Sequence, residues 1–189
     1  SVYDKVIPSK LNADSLRVAA IQTAKKADIV LFVGGLSKSH LQDCEGNDRK
    51  QFGLPFGQET LINDIVAVNQ NVGFVLVTGN AVAMPWLKKV KGVIQTWYLG
   101  SMAGHAIADV ISGAVNPSGK LPFTFPIKLE DNAAHSFGEI SYPGIDMTQQ
   151  YKEDILVGYR WYDTKEIKPL YAFGYGLSYT SFKVSNIEI

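Results

Sequence analysis

Asp28-Ile-Val-Leu-Phe-Val-Gly-Gly35 is the stretch whose reading decides the fold class. An apolar run this short, rich in β-branched residues and ended by paired glycines, predicts a buried strand opening into a loop. Upstream, Asp14 to Lys26 carries Leu16, Ala19, Ala20 and Ala24 at helical spacing behind an aspartate placed to cap it. Downstream, Leu36 to Phe56 holds no period and is broken by Gly46, Gly53 and Pro55, a connection long enough to point to function. Gly57 to Asn69 then lines up Leu61, Ile62, Ile65, Val66 and Val68 as a helix face. Phe74 to Val77 reads as a second buried strand, Pro85 to Lys89 as a helical turn and Val93 to Tyr98 as a third strand. Met102 to Ile111 reads as a helix stopped by Gly113. Strands alternating with helices predict an α/β fold, a three-layer αβα sandwich with a mostly parallel, doubly wound sheet. In Leu121-Pro-Phe-Thr-Phe125 the proline confines a strand to an edge or an end. Alternation of Phe182, Val184 and Ile187 predicts the first strand of a further element over Ser181 to Ile189.

Composition removes several function classes. With 189 residues and 46% hydrophobic content the chain can bury a core as one domain with short tails. Basic and acidic residues balance at 18 each, so no electrostatic footprint for nucleic acid or an anionic membrane is present. Cys44 is the single cysteine, which excludes an intrachain disulfide and leaves the redox compartment open. No apolar run approaches the roughly 20 residues of a membrane span, and Ser-Val-Tyr-Asp-Lys lacks a signal-peptide pattern. Neither observation states where the protein resides.

Doubly wound sheets carry their ligand chemistry outside the carboxyl ends of the strands. The long loop after Val33 is such a place, and it holds Asp43-Cys-Glu-Gly-Asn-Asp-Arg49, the densest set of potential catalytic groups in the chain. Other chemistries fail on particular residues. Gly34-Gly35-Leu-Ser lacks the third glycine of a dinucleotide fingerprint. Gly100-Ser-Met-Ala-Gly104 has the spacing of a nucleophile elbow with Met102 where the serine belongs. No phosphate loop is present, and the spacing of His105 and His135 predicts no metal site and no cofactor.

Asp43 to Arg49, Leu54-Pro-Phe-Gly-Gln58, Gly79 to Trp86 and Gln95-Thr-Trp-Tyr-Leu-Gly100 resemble, in order, segments of the carboxy-terminal domain of family 3 glycoside hydrolases. So do Ala108 to Gly113, Asn116 to Pro122, Val157 to Asp163 and Phe173 to Tyr179. The resemblance implies an α/β sandwich over residues 28–178, with residues 1–27 as its lead-in and 179–189 leading towards a fibronectin-III-like domain. It implies a partner, an amino-terminal (β/α)8 barrel carrying the nucleophilic aspartate, with the active site between the two. Members similar to this chain have Glu-Gly-x-Asp-Arg in the loop, its glutamate serving as acid/base, and that motif falls on Glu45, Gly46, Asp48 and Arg49. The implied activity is retaining, exo-acting hydrolysis of terminal β-D-glucosyl residues from an oligosaccharide or glycoside. The likeness is strongest to bacterial β-glucosidases that degrade polysaccharides, and it implies a periplasmic or secreted parent. A β-xylosidase of the same family, or a non-catalytic carbohydrate-binding or scaffold module, is the alternative; Glu45 argues against a mere module, since binding alone needs no carboxylic acid there.

Around Glu45 the remaining residues take humbler expectations. Asp48 and Arg49 are expected to pair and shape the loop, Asp43 to be a surface acid and Cys44 a small filler. His40 is a candidate contact to sugar hydroxyls, weighed equally against an ordinary loop histidine. Trp86, Trp97, Tyr98, Trp161 and Tyr162 are expected to pack in the core or at a domain interface rather than stack on sugar. Arg160 is expected in an internal ion pair.

Overall fold

A computed structural model describes residues 12–39, 41–46 and 48–186. The chain divides into two compact units, Ser1–Leu99 and Gly100–Ile189.

In the first unit α1 (Ala13–Lys26) is capped by Asn12 rather than Asp14. The Asn12 Oδ1 accepts from the backbone N–H of Asp14 at 2.8 Å and of Ser15 at 3.4 Å. Asp14 instead occupies the first turn, and Lys25 and Lys26 the last, the arrangement that opposes the helix dipole. The elements that follow are β1 (Val30–Gly35), α2 (Gln58–Val68), β2 (Val72–Val77) and β3 (Gly92–Gln95). The strands lie in the order β1-β2-β3 and both pairings are parallel, so the expected α/β class with a parallel sheet is what the structure has.

The core of this unit follows from register. Val30 lies beside Val72 and Phe32 beside Phe74, so one face of the sheet offers a continuous apolar surface. Helices α1 and α2 cover it, and Ala24, Ile65 and Val72 are buried there among Val30, Phe32, Leu61, Val66 and Val90. A column of rings continues the packing: Phe32 stacks on Phe74 at 4.9 Å and Phe74 on Trp86 at 4.3 Å. The side chains of β1 on the opposite face, Leu31 and Val33, are 47% and 62% exposed. Asn69 secures the end of α1 by donating from Nδ2 to the carbonyls of Ala24 at 3.0 Å and Ala27 at 2.7 Å.

Two strand limits differ from expectation. β1 continues through Gly34 and Gly35, because Leu76 and Val77 extend the ladder beside them. β3 ends at Gln95 instead of Tyr98, since Trp97 takes φ 54°, a left-handed conformation that a strand cannot hold.

The second unit contains α3 (Ala103–Ser112), ended as expected by Gly113 at φ 80°, and α4 (Tyr159–Thr164). The short α4 is not legible in the sequence; it buries Trp161 and Tyr162 with Ala133, against Phe137, Leu156 and Ile167. Burial pushes the Tyr162 phenol up to about 12. The strand expected over Leu121 to Phe125 reduces to one antiparallel bridge between Phe125 and Tyr171. Arg160 is exposed with its guanidinium 5.9 Å from the Tyr159 ring, which corrects the expected internal ion pair. His135 is half-buried 4.7 Å from the Tyr142 ring, and burial lowers its pKa. Residues 181–186 have no regular structure, and the end of the strand expected there lies outside the described residues. No helix among the described residues is long and apolar enough to cross a membrane.

Candidate functional site

Parallel pairing brings the segments that follow β1, β2 and β3 to one edge of the sheet. The chain leaves β1 under firm control. Leu36 N–H donates to Val77 O at 2.7 Å, and the Gln58 amide accepts from Gly35 N–H and donates to Gly35 O, both at 2.8 Å. The loop then folds on itself: Asp43 N–H reaches Ser37 O at 3.2 Å, and Ser37 N–H reaches Gln42 Oε1 at 3.0 Å. Its far end is held by buried Leu54 and by a bond from Ala83 N–H to Phe52 O at 3.0 Å.

Asp43 is the hub of this edge. The expectation of a surface acid is corrected: Asp43 is 9% exposed and fully engaged. Its Oδ1 accepts from Asn80 Nδ2 at 3.0 Å, and its Oδ2 accepts from the Tyr98 hydroxyl at 2.8 Å. Asn80 follows β2 and Tyr98 follows β3, so a single carboxylate on the β1 loop joins all three strand-end segments. The Tyr98 phenol is raised, first by burial and then by its bond to Asp43, and remains a donor across the neutral range. Lys38 lies 5.0 Å from the centre of the Tyr98 ring. Gly79 makes the approach possible: a Cβ there would sit 2.6 Å from a Tyr98 ring carbon and closer still to Asp43 Oδ2.

The motif residues are arranged around this hub. Glu45 and Asp48 are exposed, while Arg49 is half-buried. Arg49 does not pair with Asp48 as expected. Its Nη2 donates to Asn80 Oδ1 at 2.8 Å and to Ala81 O at 2.9 Å. Burial lowers the Arg49 pKa, against the opposing pull of Asp43, Tyr98 and Asp48. Asp48 Oδ1 accepts from Cys44 N–H at 3.0 Å, and Arg49 N–H donates to Gln42 O at 3.0 Å, closing the segment from Gln42 to Arg49 into a loop with Glu45 near its tip. The Cys44 thiol, 3.9 Å from the Glu45 carbonyl, is half-buried. His40 lies outside the described residues. Trp86, Trp161 and Tyr162 are core residues, as expected. No group of three or more histidine, cysteine, aspartate or glutamate side chains among the described residues is placed to hold a metal.

Sequence reasoning missed Asn80, Tyr98 and Gly79 as members of the site and misjudged Asp43. The available signal was positional, since Gly79-Asn80 and Tyr98 each fall within three residues of a strand's carboxyl end.

An α/β unit with a parallel sheet places this acidic loop over its strand ends, where folds of this class carry their ligand chemistry. The chain matches the Glycosyl hydrolase family 3 C-terminal domain over residues 4–179, and it belongs to that family. It is 59% identical over 180 residues to the beta-glucosidase BoGH3A of Bacteroides ovatus, a match that covers 95% of this chain and 24% of that protein. Among solved structures it is similar to a beta-glucosidase from Kluyveromyces marxianus, with a TM-score of 0.84 and 36% identity over 95% of this chain and 21% of that one. It is also similar to DesR, a beta-glucosidase from Streptomyces venezuelae solved in complex with D-glucose, with a TM-score of 0.82 and 42% identity over 90% of this chain and 21% of that one. The chain thus spans about a quarter or less of the length of these relatives. They come from both bacteria and a yeast, so kinship does not assign a bacterial source.

Proposed function

We propose that this chain is the acid/base-bearing domain of a retaining, exo-acting β-glucosidase, with Glu45 as the proton donor. The observation that carries the reading is the contrast within one loop: Glu45 is exposed while Asp43, two residues earlier, is buried and tied to both neighbouring strand-end segments. A general acid supplied to a sugar bound by another domain needs this combination of a reachable carboxyl and a fixed base.

Retaining hydrolysis uses two carboxyl groups about 5–5.5 Å apart. One attacks the anomeric carbon and forms a glycosyl-enzyme; the other protonates the departing oxygen, then takes a proton from the incoming water. In this reading Glu45 performs the second role, and an aspartate of an amino-terminal (β/α)8 barrel performs the first. A carboxylate beside a general acid also favours its protonated form before attack. Asp48 and Arg49 shape the loop, and His40 contacts sugar hydroxyls from it. The substrate is a β-linked glucoside, supported by the similarity to beta-glucosidases and by the D-glucose in the Streptomyces venezuelae complex. Without the nucleophile the segment alone has no turnover.

Product stereochemistry tests the proposal. In the full-length enzyme, proton NMR during the first turnovers on methyl β-glucoside, whose aglycone carries no anomeric centre, should show β-glucose before mutarotation produces the α anomer. Initial α-glucose, or release of units larger than glucose from longer β-glucans, would contradict it.

A further inference from the structure

We propose that Asp43, Asn80 and Tyr98 are positioning residues for proton transfer, setting the place of the Glu45 carboxyl above the strand ends. This inference rests on the assignment of Glu45 as acid/base. The Asn80 amide is clamped between the two stems of the loop that bears Glu45: its Nδ2 donates to Asp43 at 3.0 Å, and its Oδ1 accepts from Arg49 at 2.8 Å. The backbone of Asn80 is fixed in turn, because Thr78 Oγ1 donates to its carbonyl at 2.7 Å and Gln95 Nε2 holds Thr78 Oγ1 at 3.0 Å. Tyr98 completes the clamp from the third segment, at 2.8 Å from Asp43 Oδ2. Only Cys44 separates Asp43 from Glu45, and its N–H is held by Asp48 at 3.0 Å.

Few torsions therefore lie between a buried, doubly bonded carboxylate and the exposed one. A surface loop with no catalytic duty does not need a buried carboxylate beneath its tip, since placing a charge there requires full hydrogen bonding to offset desolvation. A proton donor does need it, because displacement by about 1 Å is enough to cost on the order of 10²-fold in rate.

The experiment is Tyr98→Phe in the full-length enzyme, which keeps the ring and removes only the hydroxyl. On methyl β-glucoside, whose leaving group requires protonation, kcat/KM should fall by about 10- to 10²-fold. On 2,4-dinitrophenyl β-glucoside, whose leaving group does not, kcat/KM should stay within about threefold of wild type, a loss small beside that displacement cost. Loss of folded protein alone would lower both equally, and equal losses, or no loss on either, would overturn the positioning role. If Tyr98→Phe does not accumulate in folded form, Asn80→Ala carries the same test with the same expected split. Glu45→Gln, assayed in parallel, separates the two ideas. If Glu45→Gln itself shows no split, the acid/base assignment fails whatever Tyr98 does; if it shows the split and Tyr98→Phe does not, only the positioning inference falls.

Discussion

Glu45→Gln in the full-length enzyme is expected to lower kcat/KM for alkyl β-glucosides by on the order of 10²- to 10⁴-fold, the usual contribution of a positioned general acid. The substitution keeps the size and hydrogen-bonding shape of the side chain and removes only its ability to give up a proton. An alkoxide is a poor leaving group, so the first step suffers in full. A dinitrophenolate departs without protonation, and its kcat/KM should change little. Its kcat should nevertheless fall, because in the proposed mechanism breakdown of the glycosyl-enzyme also uses Glu45, now as the base that activates water. The two kinetic parameters therefore respond differently on the same substrate. Parallel losses of kcat/KM on both substrates would remove Glu45 from the acid role.

The largest expected effect on stability is at Trp86. It is 1% exposed and stacks on Phe74, which stacks on Phe32, so its indole packs against the sheet's covered face. Trp86→Ala should cost about 3–5 kcal/mol, combining lost transfer energy with the cavity left behind. The indole Nε1 is buried without a side-chain or backbone partner, so Trp86→Phe should cost much less: it retains the stacking and removes an unsatisfied donor. Urea unfolding of the full-length protein, followed by a probe within this domain, distinguishes the two variants. A loss below about 1 kcal/mol for Trp86→Ala would mean that the site collapses easily and the ring column is not a structural element.

The legible parts of this fold were those written in periodicity. The apolar runs around Val30, Phe74 and Val93 and the helical spacing of Leu61, Ile62 and Ile65 identify strands and helices because burial of one face demands those patterns. Strand ends were less legible, since they depend on how far a neighbour extends the ladder at Gly34 and Gly35, or on one left-handed residue, Trp97. The cap of α1 went to Asn12 instead of Asp14 because both are capping residues and only the backbone path selects between them. In the second unit, α4 is too short to show a period, and its aromatic residues serve a strand or a helix equally well.

At the candidate site, the chemical type of Glu45 and its place on a strand-end loop could be read from the sequence. The role of Asp43 could not. An aspartate in a polar loop is ordinarily solvated, and what buries this one is the arrival of Asn80 and Tyr98, 37 and 55 residues away along the chain. Only the parallel order of the three strands brings those segments to the same edge. Arg49 illustrates the same limit: adjacency to Asp48 suggested a pair, yet the guanidinium crosses to Asn80 and the Ala81 carbonyl.

The most direct measurement is azide rescue of Glu45→Gly in the full-length enzyme, with 2,4-dinitrophenyl β-glucoside as substrate. Azide attacks a glycosyl-enzyme without help from a general base, so turnover should accelerate and the product should be β-glucosyl azide. No acceleration, or formation of the α-azide, would show that Glu45 is not the acid/base.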